Sequence, residues 1–260
     1  MSARKLMTVA VAIAALAAAG CGSGGGSSSG GKPDLVVSAA ASLKDAFTQY
    51  AQQFPDATVR SSFAGSDELA AQIEQGVKPD VFASANTKLP EQLFQKGLLQ
   101  KPVVFAGNRL VIAVPASGGK VTSLSDLEKP GVTVAMGSAT VPVGVYTRKV
   151  LAGLPSADSA KVLGNVRSNE PDVAGVVGKV TEGAVDAGFV YITDVDATDG
   201  KLKAIELPKS LQPQVAYGVA VVKGAKHPKQ AQQFIDGLLH GAGQQALKAA
   251  GFEPPPAAGS

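Results

Sequence analysis

The chain has 260 residues, of which 45% are hydrophobic and 17% charged. That is length enough for one large domain or two smaller ones around a real core. The formal charge of +3 comes without a dense basic patch, which excludes a nucleic-acid footprint. A single cysteine excludes a disulfide framework and a thiol-based metal or catalytic cluster.

The chain begins with Arg4 and Lys5, then an apolar stretch from Leu6 to Ala19, then Gly20 and Cys21. An apolar run shorter than the ~20 residues of a membrane-spanning helix predicts a secretory signal over 1–20 rather than a transmembrane anchor. The stretch Leu16-Ala17-Ala18-Ala19-Gly20-Cys21 resembles a bacterial lipobox, which implies lipidation of Cys21. GSGGGSSSGG at 22–31 reads as a flexible leash. Residues 21–33 are therefore expected to tether an exported body to the outer face of a membrane, in the periplasm or cell-wall space. Loss of Arg4 and Lys5 takes the 24 basic residues to 22 against 21 acidic ones, so the body is nearly neutral.

The body opens with VVSAAASLKDAFTQY at 36–50. A strand at Leu35–Ser38 leads through small residues to Ser42, the predicted N-cap, with Asp45 three positions on. Leu43, Ala46, Phe47, Tyr50, Ala51 and Phe54 recur at helical spacing and predict a helix over Leu43–Phe54. A strand at Thr58–Phe63 then leads through FAG to Ser66 and a helix over Asp67–Gln75, stopped by Gly76. A strand at Val81–Ser84, a helix at Pro90–Lys96 and strands at Arg109–Val114 and Thr133–Met136 follow. In SATVPVGVY, Pro142 opens a helix over Val143–Leu151 from its favoured first position. In SNEPDVAGVV, Pro171 opens a helix over Pro171–Thr181 with Val173, Val176, Val177 and Val180 on one face. Strands at Asp186–Tyr191 and Val215–Val222 and a helix over Pro228–Ala250 complete the body. The tail EPPPAAGS, 253–260, cannot continue a helix and is expected to be disordered.

Strands alternating with helices predict an α/β fold with mainly parallel sheets flanked by helices. In such sheets ligands bind at the carboxyl ends of strands, where helices begin. The starts at Ser42, Ser66, Pro142 and Pro171 each offer first-turn N–H groups and a partial positive charge to an anion. Each alone is better read as ordinary helix capping. The four together suggest a site.

The ordered segments VVSAAASLKDAF, SSFAGSDELAAQIEQG, KPDVFASAN, VPVGVYTRKVL and DAGFVYITDV resemble the molybdate-binding subunits of bacterial ABC importers, from about Leu35 to Phe252. The resemblance implies a two-lobe periplasmic-binding-protein fold (type II), hinged by crossover strands. It places lobe 1 at 34–107 and 224–252 and lobe 2 at 108–223. It implies that Ser42, Ser66, Val143, Val173 and Tyr191 bind molybdate, or tungstate, and hold the oxyanion's metal through its oxygens. The valines would act through backbone N–H, the serines through hydroxyl and N–H, and the tyrosine through its hydroxyl. No cofactor is implied. The partners implied are the oxyanion, the permease of an ABC importer and a membrane reached through the lipid, for a monomer.

A donor-only site suits a tetrahedral dianion, which accepts hydrogen bonds and donates none. Asp67, Glu68, Glu170 and Asp172 stand beside the proposed contacts and would repel a dianion if they faced it; in a first helical turn they stabilise the helix. An enzyme is the first rival reading, but the only histidines, His227 and His240, lie beyond the last strand. No Gly-x-Ser-x-Gly stands at a strand-to-helix elbow, its one match, GSSSG at 26–30, being part of the leash, and no metal-ligand spacing is present. Binding of another solute, sulfate and phosphate foremost, is the second rival, and a purely structural surface lipoprotein the third.

Overall fold

The structure, a computed structural model, describes residues 31–257. The predicted signal and Cys21 lie outside the described residues. In chain order the elements are β1 (Asp34–Ala40), α1 (Lys44–Gln53), β2 (Thr58–Ala64), α2 (Ser66–Glu74), β3 (Val81–Ser84), α3 (Lys88–Gln95), β4 (Val103–Asn108) and β5 (Leu110–Pro115). They continue with β6 (Val134–Gly137), α4 (Pro142–Ala152), α5 (Ser156–Gly164), β7 (Val166–Glu170), α6 (Val173–Thr181), β8 (Ala187–Tyr191) and α7 (Ile192–Asp196). The last are β9 (Leu202–Glu206), β10 (Val215–Val221), α8 (Pro228–His240) and α9 (Ala242–Ala249), and a 3-10 turn at Ala41–Leu43 joins β1 to α1.

Two five-stranded sheets result, in the orders β2-β1-β3-β10-β4 and β7-β6-β8-β5-β9. In the first, β1 runs parallel to β2 and β3, while β10 is antiparallel to β3 and β4. In the second, β6 runs parallel to β7 and β8, while β5 is antiparallel to β8 and β9. The fold is thus α/β with two lobes, one per sheet.

Alternation along β3 shows why the first sheet is covered on both faces. Val81 and Ala83 belong to the large core with Phe47 and Phe234, whereas Phe82 packs with Leu69, Ile73 and Leu93 from α2 and α3. On the first face, Tyr50 stacks near Phe234 with centroids 4.6 Å apart and donates its hydroxyl to the Phe234 carbonyl at 3.1 Å. That ring also explains why the predicted helix over Pro228–Ala250 is two helices. A Cβ on Gly237 would fall 1.8 Å from the Tyr50 hydroxyl, and one on Gly243 would fall 2.8 Å from its ring. The chain bends at Gly241 to lay α8 and α9 around Tyr50.

Only Arg109 separates β4 from β5, so one extended run passes from the first sheet to the second. The return crossing lies between β9 and β10. The expected lobe 2 range of 108–223 is therefore too long, because β10 belongs to the first sheet. Nearly every residue of β10 is buried, and a strand covered on both faces carries no periodicity that tells which sheet it joins. The tail expectation also needs correction. Glu253 pairs with Gly107 through backbone bonds of 2.8 and 3.0 Å, and its carboxylate meets Arg109 at 2.9 Å. The prolines after Glu253 prevent a helix without preventing this bridge.

Candidate functional site

The parallel strands of both sheets end at a common cleft. The turn after β1 and the start of α2 reach it from the first lobe. The starts of α4 and α6 and the end of β8 reach it from the second. A small cavity between them is walled by Ser42, Ser66, Val143, Val173 and Tyr191, together with Ala40, Ala41, Ala64, Gly65, Ala85, Val141, Pro142 and Asp172. All five residues singled out from the sequence therefore meet in one place.

Small side chains let these backbones approach. A Cβ on Gly65 would sit 2.4 Å from the Pro171 carbonyl oxygen across the cleft, so glycine is what allows the start of α2 to close on the second lobe. A Cβ on Gly144 would sit 1.8 Å from the Ser138 carbonyl oxygen, so glycine likewise lets α4 begin against the end of β6. The carbonyls of Gly137, Ser138 and Gly144 accept hydrogen bonds from Arg148 at 3.0, 3.3 and 3.0 Å. Arg148 thereby gathers the carbonyls of this corner on one guanidinium.

The capping expectations are corrected at three of the four starts. Ser42 lies inside the 3-10 turn, whose N-cap is Ala40, and its hydroxyl sits 2.9 Å from that of Tyr217. Ser66 is the first residue of α2 after the N-cap Gly65, and its Oγ accepts the Ala85 N–H at 3.1 Å. Pro171 lies outside α6. Asp172 is the N-cap there, its Oδ1 accepting the Gly175 N–H at 2.9 Å. Pro142 does occupy the first turn of α4. Both serines are thus released from capping for other partners.

Hydroxyl bookkeeping shows what the cavity can offer. A backbone N–H can only donate, so Ser66 Oγ accepts from Ala85 and its own hydrogen remains free. Tyr191 is 1% exposed, and its hydroxyl has no partner among the described residues. Burial holds its pKa well above the ordinary phenol value, with Tyr217 and Tyr146 adding to the effect, so the group stays protonated. A buried phenol without an acceptor is costly unless something fills the space beside it.

Among the described residues, no Lys, Arg or His stands in the wall, and Asp172 is its one carboxylate. Of the other acids beside the site, Glu68 bonds Gln72 and Glu170 bonds Ser168, while Asp67 accepts the Thr140 hydroxyl from the second lobe on Oδ2 and its buried Oδ1 has no partner among the described residues. Behind Tyr191, the half-buried Asp194 accepts the Tyr191 N–H at 2.9 Å. Burial pushes the Asp194 carboxyl up to about 7 against that hydrogen bond. A wider, open groove beyond Ser42 carries Asp45, Asp194 and Asp196 besides Lys44 and Lys248, and those carboxylates make it a poor anion site.

The cavity encloses only about 10 Å³, roughly the room of a single water. Organic ligands occupy pockets of roughly 300–1,000 Å³. The space therefore excludes an organic ligand. Neutral donors and first-turn amides, without a matching set of acceptors, favour an anion. Tyr217, Asn108 and Arg148 support this site from behind, and none was evident in the sequence. Tyr217 lies mid-strand and Asn108 at a strand end, and no motif links them to Ser42.

The model of the bacterial extracellular solute-binding protein family matches residues 35–253. The chain belongs to that family. As an extracellular solute-binding protein it is similar to the molybdate-binding protein ModA of Mycobacterium tuberculosis (strain ATCC 25618 / H37Rv), with 37% identity over 231 residues covering 86% of each chain. Among solved structures, the periplasmic molybdate-binding protein of Azotobacter vinelandii superposes with a TM-score of 0.76 at 24% identity, covering 85% of this chain and 99% of that one. The sulfate-binding protein SubI of M. tuberculosis H37Rv gives a TM-score of 0.75 at 16% identity, covering 85% of this chain and 87% of that one. The near-equal scores show a shared fold and leave the choice of anion to the site of this solute-binding protein.

Proposed function

We propose that this solute-binding protein captures molybdate, and tungstate with it, outside the membrane and delivers it to the permease of an ABC importer. The observation that carries this reading is the set of donors in the lining: hydroxyls at Ser66 and Tyr191 with hydrogens to spare, and helix starts at Ser66, Val143 and Val173, with no cation among the described residues of the wall and its one carboxylate, Asp172, capping α6 through Oδ1. Ser42 and Ser66 would donate through hydroxyl and N–H, Val143 and Val173 through N–H, and Tyr191 through its phenol. Such a set matches a fully deprotonated tetrahedral dianion. The relative most informative for the anion is ModA of M. tuberculosis, named for molybdate. The relatives named here are binding proteins, which supports capture rather than catalysis.

Lipidation of Cys21, a tether over 21–33 and a monomeric body held at the outer face complete the proposal. Calorimetry with molybdate, tungstate, sulfate and phosphate tests it. Tight binding of the first two and weak binding of the others is expected. Sulfate binding as tightly as molybdate would replace this reading with that of a sulfate carrier. Cys21→Ser tests the anchor: the protein should leave membrane fractions or keep its leader, with anion affinity of the purified body unchanged.

A further inference from the structure

Four polar groups behind Ser42 form a chain whose proton directions are fixed by chemistry. Asn108, the last residue of β4, accepts the Arg109 N–H on its Oδ1 at 2.9 Å. A backbone N–H can only donate, so the oxygen of the Asn108 amide must face Arg109 and the nitrogen must face the other way. Its two N–H bonds then reach Thr193 Oγ1 at 2.9 Å and the Tyr217 hydroxyl at 3.3 Å. Tyr217 therefore accepts from Asn108. Its single hydrogen is left for Ser42 Oγ, 2.9 Å away. Tyr217 is fully buried and Asn108 nearly so, which makes each of these bonds expensive to leave unmade. Burial keeps the Tyr217 phenol protonated, its pKa well above the usual value, with Asp194 adding to that effect.

We propose that Asn108 and Tyr217 are positioning residues that lock the Ser42 hydroxyl as an acceptor on its protein side, so that its hydrogen can only point to the anion. This rests on the reading that the cavity binds an oxyanion, and it adds a basis for selectivity. An anion that carries a proton needs an acceptor, and a locked Ser42 offers it none. Asn108 also joins the lobes, since Thr193 belongs to α7 of the second lobe while Ser42 and Tyr217 belong to the first. The lock is complete only when the lobes stand as they do here.

Asn108→Asp tests the direction of the chain. The new carboxylate accepts the Tyr217 hydrogen, so Ser42 must give its own hydrogen to the Tyr217 oxygen and turn a lone pair to the anion. Molybdate affinity is expected to fall by about tenfold or more. Adding Tyr217→Phe to that variant frees Ser42 to donate again, and affinity should recover by several-fold. The same Tyr217→Phe change in the wild-type background should weaken binding. This reversal of sign is the decisive result, because the carboxylate charge is common to the first two variants and cancels between them. A double variant no tighter than Asn108→Asp overturns the lock. So does wild-type affinity in Asn108→Asp.

Should Asn108→Asp fail to fold, Tyr217→Phe alone decides. Its preference for molybdate over hydrogen phosphate should narrow, as the unlocked Ser42 can accept from the protonated anion. An unchanged preference overturns the lock. Wild-type protein that binds no molybdate at all would instead reject the function on which the inference rests.

Discussion

The two lobes furnish the same cavity with donors of different kinds. The first lobe presents hydroxyls, Ser42 and Ser66, each backed by a partner that fixes its direction. The second presents the amides at the starts of α4 and α6 and one phenol, Tyr191, with no partner behind it. Binding and stability are therefore entangled in the first lobe and separable in the second. Ser66→Ala should break this comparison open most widely. It removes a donor to the anion, worth roughly 1.5–3 kcal/mol of affinity, and leaves the buried Ala85 N–H without an acceptor, at a cost of about 1–3 kcal/mol in stability. Calorimetry and thermal melts should both register the loss. A ligand-free melting point equal to wild type would show that Ala85 finds another acceptor.

In the second lobe the same experiment should split. Tyr191→Phe keeps the ring against Tyr146 and Tyr217, whose centroids lie 6.4 and 5.9 Å away, and removes a hydroxyl that has no partner among the described residues. Affinity should drop by roughly 1.5–3 kcal/mol while the free protein melts as before or slightly higher. Val173→Pro makes the matching deletion in the backbone. Val173 is the first residue of α6, where proline is tolerated, and Asp172 before it is extended with φ −151° and ψ 176°, as a residue preceding proline should be. The substitution takes away one N–H, and a similar loss of affinity is expected. Full affinity in Val173→Pro would remove that amide from the site.

Gly65→Ala sharpens the comparison at the seam between the lobes. The added Cβ would meet the Pro171 carbonyl at 2.4 Å only while the lobes are closed. Overpacking of this sort costs about 1–3 kcal/mol. If closure accompanies binding, the penalty falls on affinity, and the melting point of the free protein moves little. A penalty on the free protein instead would mean that the lobes stay closed without ligand.

Much of this is legible in the sequence. The seven predicted strands are all present because their apolar runs are short and bounded by turn residues. β4, β7 and β9 escaped notice, and so did α5 and α7. β7 reads VRSNE, alternating half-buried and exposed but with Val166 its one apolar side chain, and β4 ends in Gly107 and Asn108, so neither shows an apolar period in the sequence. The helix starts around the cavity were visible as small residues, prolines and serines after strands. What those serines bond was not visible. Ser42 meets Tyr217 from 175 residues away and Ser66 meets the Ala85 amide just past β3, and a capping pattern in sequence carries no trace of such long-range partners. Asp67 was equally opaque, since its turn toward Thr140 depends on the second lobe.

The smallest expected effect is the most specific one. Val173 is 4% exposed and packs in the large core, while its proposed role in binding belongs to its amide alone. Val173→Ala removes two methylene-sized groups, about 1.6 kcal/mol of burial at ~0.8 each. Alanine's better helix propensity returns up to ~0.7 kcal/mol of that. The free protein should therefore melt a few degrees lower, at the roughly 2–4 °C per kcal/mol of a chain this size. Molybdate affinity should stay within about twofold of wild type, because the N–H remains at the start of α6. Set beside Val173→Pro, which spares most of the side-chain volume and deletes the donor, the two variants at one position should show opposite patterns. A tenfold loss of affinity in Val173→Ala would mean that the side chain shapes the cavity, and the division between hydroxyl donors in one lobe and backbone donors in the other would fail at this residue.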